Sequence, residues 1–185
     1  MSRFGWFIFG VIAACVGLVI GAFLYVKLGG VQMAVNAPMQ PFEKTVAKMA
    51  LHASFASSLD LISPVPVNDD TLTAGAKIFK DHCADCHGLP GKPSAMAKQW
   101  FPPPPQLLET NEMCTDDSVG ETYWKVSNGI RLTAMPEFKS ALSQTERWQV
   151  TLFLKYADKL PSSALAVLNA APADAQETQA TLPAH

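Results

Sequence analysis

Cys83, Cys86 and His87 stand together in the segment KDHCADCHG, Lys80 to Gly88. Two thiols three residues apart can reach two vinyl-derived carbons on one edge of a porphyrin. A histidine directly after the second can turn under the ring and offer an imidazole to the iron. The spacing therefore predicts one covalently attached haem c, with Cys83 and Cys86 as the thioether residues and His87 as an axial iron ligand. A redox dithiol reading expects a thioredoxin-like βαβ pattern, and the chain lacks the alternating strand runs for it. A structural zinc site takes four Cys or His ligands, commonly as two spaced pairs. Only one pair is present, and Cys114 would have to complete it by accident.

A haem iron has a second axial position. The downstream candidates are Met96, Met113, Met135 and His185. Met96 lies nine residues after His87 across the turn-forming GLPGKPSAM, which makes the opposite face awkward to reach. Met113 sits in a polar loop and His185 ends a loose tail. Met135 is followed by Pro136, which keeps the chain out of helix and biases Met135 toward an extended backbone. A rigid, extended methionine suits a flat cofactor, so Met135 is the expected second ligand. A thioether favours Fe(II), and His/Met ligation raises the potential. The alternative is that Met135 only packs against the ring and the iron stays five-coordinate.

The elements that would hold these residues read as helices. Ala74 to Lys80 follows the turn-prone VNDDTLT, with Asp70 or Thr73 as its cap. Ile78 and Phe79 are expected inward, and Lys77, Lys80 and Asp81 toward water. A second helix runs from Asp117 to Asn128, with Val119, Tyr123 and Val126 on one side, and ends at Asn128-Gly129. Ser143 with Glu146 three residues on is a capping box that opens a last helix. Leu152, Phe153 and Tyr156 recur near one face of that helix. FPPPPQLL, 101–108, is a stiff extended stretch whose prolines cannot donate backbone hydrogen bonds.

On these segments residues 70–160 resemble the class I monohaem cytochrome c family. AGAKIFKDHCADCHG is similar to that family's first helix and haem-binding segment. Gly75, Phe79 and Phe153 stand where it crosses its first and last helices, and MPEF is similar to its methionine loop. The resemblance implies an all-α class I cytochrome c fold around one covalent haem, here preceded by a single transmembrane helix. It also implies that a proline carbonyl accepts the other ring N–H of His87, which fixes the imidazole and raises its basicity. Pro105, in Pro105-Gln106-Leu107, is the better match for that carbonyl, with Pro104 the alternative. A proline-rich surface loop unrelated to His87 is the plain reading.

Residues 1–5 read as a short cytoplasmic N-terminus. Residues 6–26 carry no charge, enough to cross a hydrocarbon core of roughly 30 Å as one helix; with Lys27, 6–27 is the expected transmembrane helix. Charge asymmetry around it is uninformative. The resemblance implies haem attachment outside the cytoplasmic membrane, hence a single-pass protein of a bacterial cytoplasmic membrane with its haem domain on the periplasmic side. The alternative is a lipid anchor at Cys15, against which stands the apolar run that follows it. Gly10, Ala14, Gly17 and Gly21 share one helix face, a pattern that lets another membrane helix approach. Residues 28–69 form a linker with a helix expected near 42–62, bounded by prolines, which could dock on a membrane subunit or act as a spacer. His52 within it reads as an ordinary helical histidine, and 161–185 as a partly flexible tail.

Composition narrows the function. The chain has 185 residues, a formal net charge of -2 and four cysteines, too few for a disulfide scaffold. No basic surface points to nucleic acid. An iron with both axial positions filled has no place for substrate, which predicts one-electron transfer rather than stand-alone catalysis. The expected partners are redox donor and acceptor proteins and a membrane complex, met through the Gly10/Ala14/Gly17/Gly21 face and the 42–62 helix, in a respiratory or other electron-transport chain. The alternative is a haem-based small-ligand sensor or peroxidase-like enzyme, which requires Met135 to be a weak or absent ligand.

Overall fold

The computed structural model describes residues 2–109 and 113–170, and the described residues contain helices and turns but no strand. They divide into two compact units, Met1–Ala47 and Lys48–His185. The first is built on helix α1, Arg3–Lys27. The Ser2 side chain accepts from the Gly5 amide at its start and Lys27 lies in its last turn, opposite the negative end of the helix dipole. Its 25 residues span about 37 Å, long and apolar enough to cross a bilayer, and none is buried. Nothing lies within 4 Å of where a Cβ on Gly10, Gly17 or Gly21 would stand. Helix α2, Glu43–Phe55, carries its C-terminal half into the second unit, where a 3-10 turn, Ala56–Ser58, follows it. The regular helix is thus shorter than the 42–62 expected between its prolines.

The second unit is organised by α3, Asp69–His82, and α6, Gln144–Lys155. α3 begins five residues before the expected Ala74. Asn68 holds an extended backbone and its side chain accepts from the Thr71 amide at 2.8 Å, so Asn68 is the cap rather than Asp70 or Thr73. Asp69 and Asp70 then fall in the first turn, where the dipole favours them. α6 opens with the capping box of Ser143 and Glu146. The two helices cross at Gly75. A Cβ there would meet the Gln149 carbonyl oxygen and stand 2.6 Å from Phe153 Cβ. Because that side chain is missing, the fully buried Phe79 and Phe153 come together with ring centroids 5.3 Å apart.

Three further elements complete this core. Helix α7, Ser162–Asn169, lies on α3 and buries Ala164 and Leu168. Lys80, expected to face water, reaches across to α7 and donates to the Val167 and Ala170 carbonyls at 2.9 and 2.7 Å. A lysine stem can lie along apolar surface while its ammonium satisfies helix-end carbonyls, and α7 supplies those. Helix α5, Val119–Asn128, is capped by Ser118 and buries Val126 with Gly120 and Thr122, while Val119 and Tyr123 stay half-buried. The reason is a neighbour that the sequence reading placed in the linker. The Ser58 carbonyl oxygen sits where a Gly120 Cβ would be, and Phe55, 4 % exposed, lies 6.3 Å from the Trp124 ring. The core therefore takes in residues on both sides of 70–160.

Gly75→Ala should destabilise the haem-loaded protein by about 1–3 kcal/mol, because backbone and the Phe153 Cβ must both give way. Denaturant unfolding checks it, and an unchanged midpoint would count against this crossing.

Candidate haem site

The attachment segment is one helical turn. α3 ends at Cys83, and the short helix α4, Ala84–His87, starts there. The Cys86 and His87 amides both donate to the Cys83 carbonyl, at 3.1 and 2.9 Å, and the Gly88 amide closes the turn on Ala84. Gly88 then takes a φ of +71°, a conformation that glycine adopts at little cost. The turn puts two half-buried, free thiols and an imidazole in five consecutive residues. Burial, with the neighbouring Cys86 adding to it, pushes the Cys83 thiol up to about 12, so it stays a neutral thiol in the folded chain.

His87 Nδ1 lies 2.7 Å from the carbonyl oxygen of Pro105. A carbonyl can only accept, so the proton is on Nδ1 and the Nε2 lone pair is left for a metal. Burial lowers the pKa of His87, and the Pro105 contact works against that shift; the burial effect dominates and favours the neutral ring. The Pro104 carbonyl instead accepts from Gln106 Nε2 at 3.1 Å. Neighbouring carbonyls of an extended chain point in different directions, so only one of the two can face the ring.

Met135 belongs to a loop held against the end of α5. Gly129, with φ +67°, leaves room for the backbone of Met135 and Pro136, whose nearest atoms stand 2.6 to 2.8 Å from a Gly129 Cβ. The Ile130 amide donates to the Met135 carbonyl at 3.2 Å, and Thr133 Oγ1 accepts from the Met135 amide at 3.1 Å. The Phe138 and Lys139 amides tie the far side to Val126 and Ser127. Leu132 at the tip is left-handed, with φ +63°, and 89 % exposed. Met135 is half-buried and packs on the same core cluster as Cys83 and Cys114. Of the other sulfur candidates, Met96 is 43 % exposed in the 3-10 turn Met96–Gln99, and Met113 is half-buried. His185 lies outside the described residues, as does the tail from Ala171 onward. His52 packs edge-on against Phe55, with centroids 5.1 Å apart.

The donor set fits a c-type haem. It offers two free thiols on one turn, an imidazole with its outer nitrogen held by a carbonyl, and a thioether on a separate loop packed on the shared core. Among the described residues no group of three or more His, Cys, Asp or Glu could hold a metal ion instead. Two contributors escaped the sequence reading. Lys155 Nζ donates to the Thr115 and Asp117 carbonyls at 2.6 and 2.9 Å, pinning the segment that enters α5. Gln106 binds the proline stretch to the attachment turn; its one signal was a polar residue between four prolines and two buried leucines.

Cys114 is a half-buried thiol rather than a reactive one. Burial is the main cause of its rise from 9.0 to about 11, Asp117 and Glu121 add to it, and Lys125 opposes it. At pH 8 its thiolate population, and hence its alkylation by iodoacetamide, should be about 100-fold below that of an unperturbed cysteine. Peptide mass spectrometry of the native, haem-loaded protein measures the rate, and labelling at the unperturbed rate would contradict the burial.

Residues 70–154 match the family described as cytochrome C oxidase, cbb3-type, subunit III. A chain of the Kuenenia stuttgartiensis reducing HAO-like protein complex is 27 % identical, with a TM-score of 0.45. The match covers 54 % of this chain and 48 % of that one, so this chain spans about half the length of the structure it resembles. A search of curated proteins gave no match. With its Cys-x-x-Cys-His turn and the helices around it, the segment 70–154 is a cytochrome c domain, which supports covalently bound haem c and electron transfer.

Proposed function

We propose that this protein is a membrane-anchored, one-electron carrier with a single haem, ligated by His87 and Met135 and attached through Cys83 and Cys86. The observation that carries the reading is the hydrogen bond between His87 Nδ1 and the Pro105 carbonyl, which leaves Nε2 of a fixed, neutral ring as the donor. When bound, the haem supplies an iron that exchanges one electron. The residues around it do the rest. Cys83 and Cys86 hold the group covalently, and the Pro105 carbonyl orients the imidazole and makes it a stronger donor. The Gly129–Met135 loop offers a thioether from a second element. With His87 and Met135 both on the iron, no coordination position would remain for a substrate.

Helix α1 supports a single-pass anchor, and the resemblance to a family whose haem is attached outside the cytoplasmic membrane is the ground for reading the N-terminus as cytoplasmic and the haem domain as periplasmic in a bacterial membrane. The description of the matched family, a subunit of a cbb3-type cytochrome C oxidase, supports a place in a membrane electron-transport complex, between a donor and an acceptor protein. The exposed face of Gly10, Ala14, Gly17 and Gly21 is where a neighbouring membrane helix would fit.

Two measurements test the site. Met135→Ala should abolish the weak far-red absorption that an iron–sulfur bond gives the oxidised protein, lower the potential, and open the reduced iron to carbon monoxide. A band that survives the substitution would move the ligand to Met96 or Met113. Replacing Cys83 and Cys86 together by alanine should leave a denatured chain without haem mass, whereas the parent keeps the mass of one. Haem extracted from the parent by acidified organic solvent would disprove covalent attachment.

A further inference from the structure

The four prolines 102–105 have no N–H and can be tied to the rest of the protein only through their carbonyls. Two of those carbonyls matter for the site. Pro105 accepts from His87, and Pro104 accepts from Gln106 Nε2 at 3.1 Å. The same Nε2 donates its other proton to the Cys86 carbonyl at 3.3 Å, one residue before His87. At the other end of the carboxamide, Gln106 Oε1 accepts from the Ser94 amide at 2.7 Å, and Ser94 Oγ in turn donates to the Asp85 carbonyl within the attachment turn. Gly88 makes room for this group, because a Cβ there would collide with Gln106 Oε1. Leu107 and Leu108, 9 and 8 % exposed, anchor the chain immediately beyond it.

We propose that Gln106 is a positioning residue for the iron ligand His87. Its carboxamide supplies the donors that the prolines lack, and clips the proline stretch to the carbonyl that precedes His87. With Pro104 turned to Gln106, the Pro105 carbonyl is left aimed at Nδ1. Gln106 thereby fixes how strongly the imidazole is hydrogen-bonded, and so how much electron density it gives the iron. Only a side chain of this length with both a donor and an acceptor end serves. Leucine has neither, and glutamate has no donors for Cys86 and Pro104.

The inference rests on His87 being an iron ligand, and the test separates the two claims. The full-length, haem-loaded Met135→Ala protein is reduced, and its iron–histidine stretching mode is recorded by resonance Raman spectroscopy. Gln106→Leu and Gln106→Glu in that background should both shift the mode to lower frequency, because the Pro105 bond loosens. With Met135 intact the potential should rise in Gln106→Leu, whose imidazole is a weaker donor. In Gln106→Glu the added negative charge opposes that rise, so the potential should lie below that of Gln106→Leu. If Gln106→Leu fails to accumulate with haem, Gln106→Glu and Gln106→Asn carry the Raman comparison alone. A mode at the parent frequency in the variants overturns the role of Gln106. No iron–histidine mode in a Met135→Ala parent that has lost its far-red band overturns the ligand assignment instead.

Discussion

The contact on which the rest of the haem unit depends is the crossing of α3 and α6 at Gly75. Two helices that approach so closely bring Phe79 and Phe153 into ring contact and exclude water between them. Core packing at this density leaves little room for rotation of one helix on the other. The end of α3 is then fixed in space, and Cys83 is that end. The Cys83–His87 turn grows directly from a rigid helix terminus rather than from a loop, which is what a covalent attachment at two points requires.

From that anchor the site is assembled by segments that have little regular structure. The proline stretch reaches His87 with a carbonyl because it has no donors of its own, and Gln106 fixes which carbonyl that is. The Met135 loop is held by backbone amides to the end of α5 and by the empty space at Gly129. α5 is in turn braced at its other end by Ser58 and Phe55 against Gly120 and Trp124. Each side of the site thus has its own chain of support back to buried apolar contacts.

The packing around the domain also enlarges it. α7 lies on α3 with its last carbonyls taken by Lys80, and the turn after α2 seats on α5. Both additions cover apolar surface at the flanks of the family-matched segment. Small domains gain stability steeply with added buried area, which gives such flanking elements a physical reason to exist.

Local chemistry was legible in the sequence. Cys83, Cys86 and His87 declare themselves by spacing, the capping box at Ser143 and Glu146 by residue type, the apolar run of α1 by its length, and the crossing glycine by resemblance. These features depend on residues a few positions apart, so the chain alone determines them. Tertiary structure decided what depends on a partner distant in sequence. Asn68 rather than Asp70 caps α3 because packing carries the helix back to it. Lys80 turns from solvent to α7 because carbonyls wait there. The choice of the Pro105 carbonyl for His87 needed the carboxamide of Gln106, which in turn needed the bare Cα of Gly88. A hydrogen bond between segments costs the ordering of both, and no local pattern in either segment records that the other will be there to repay it.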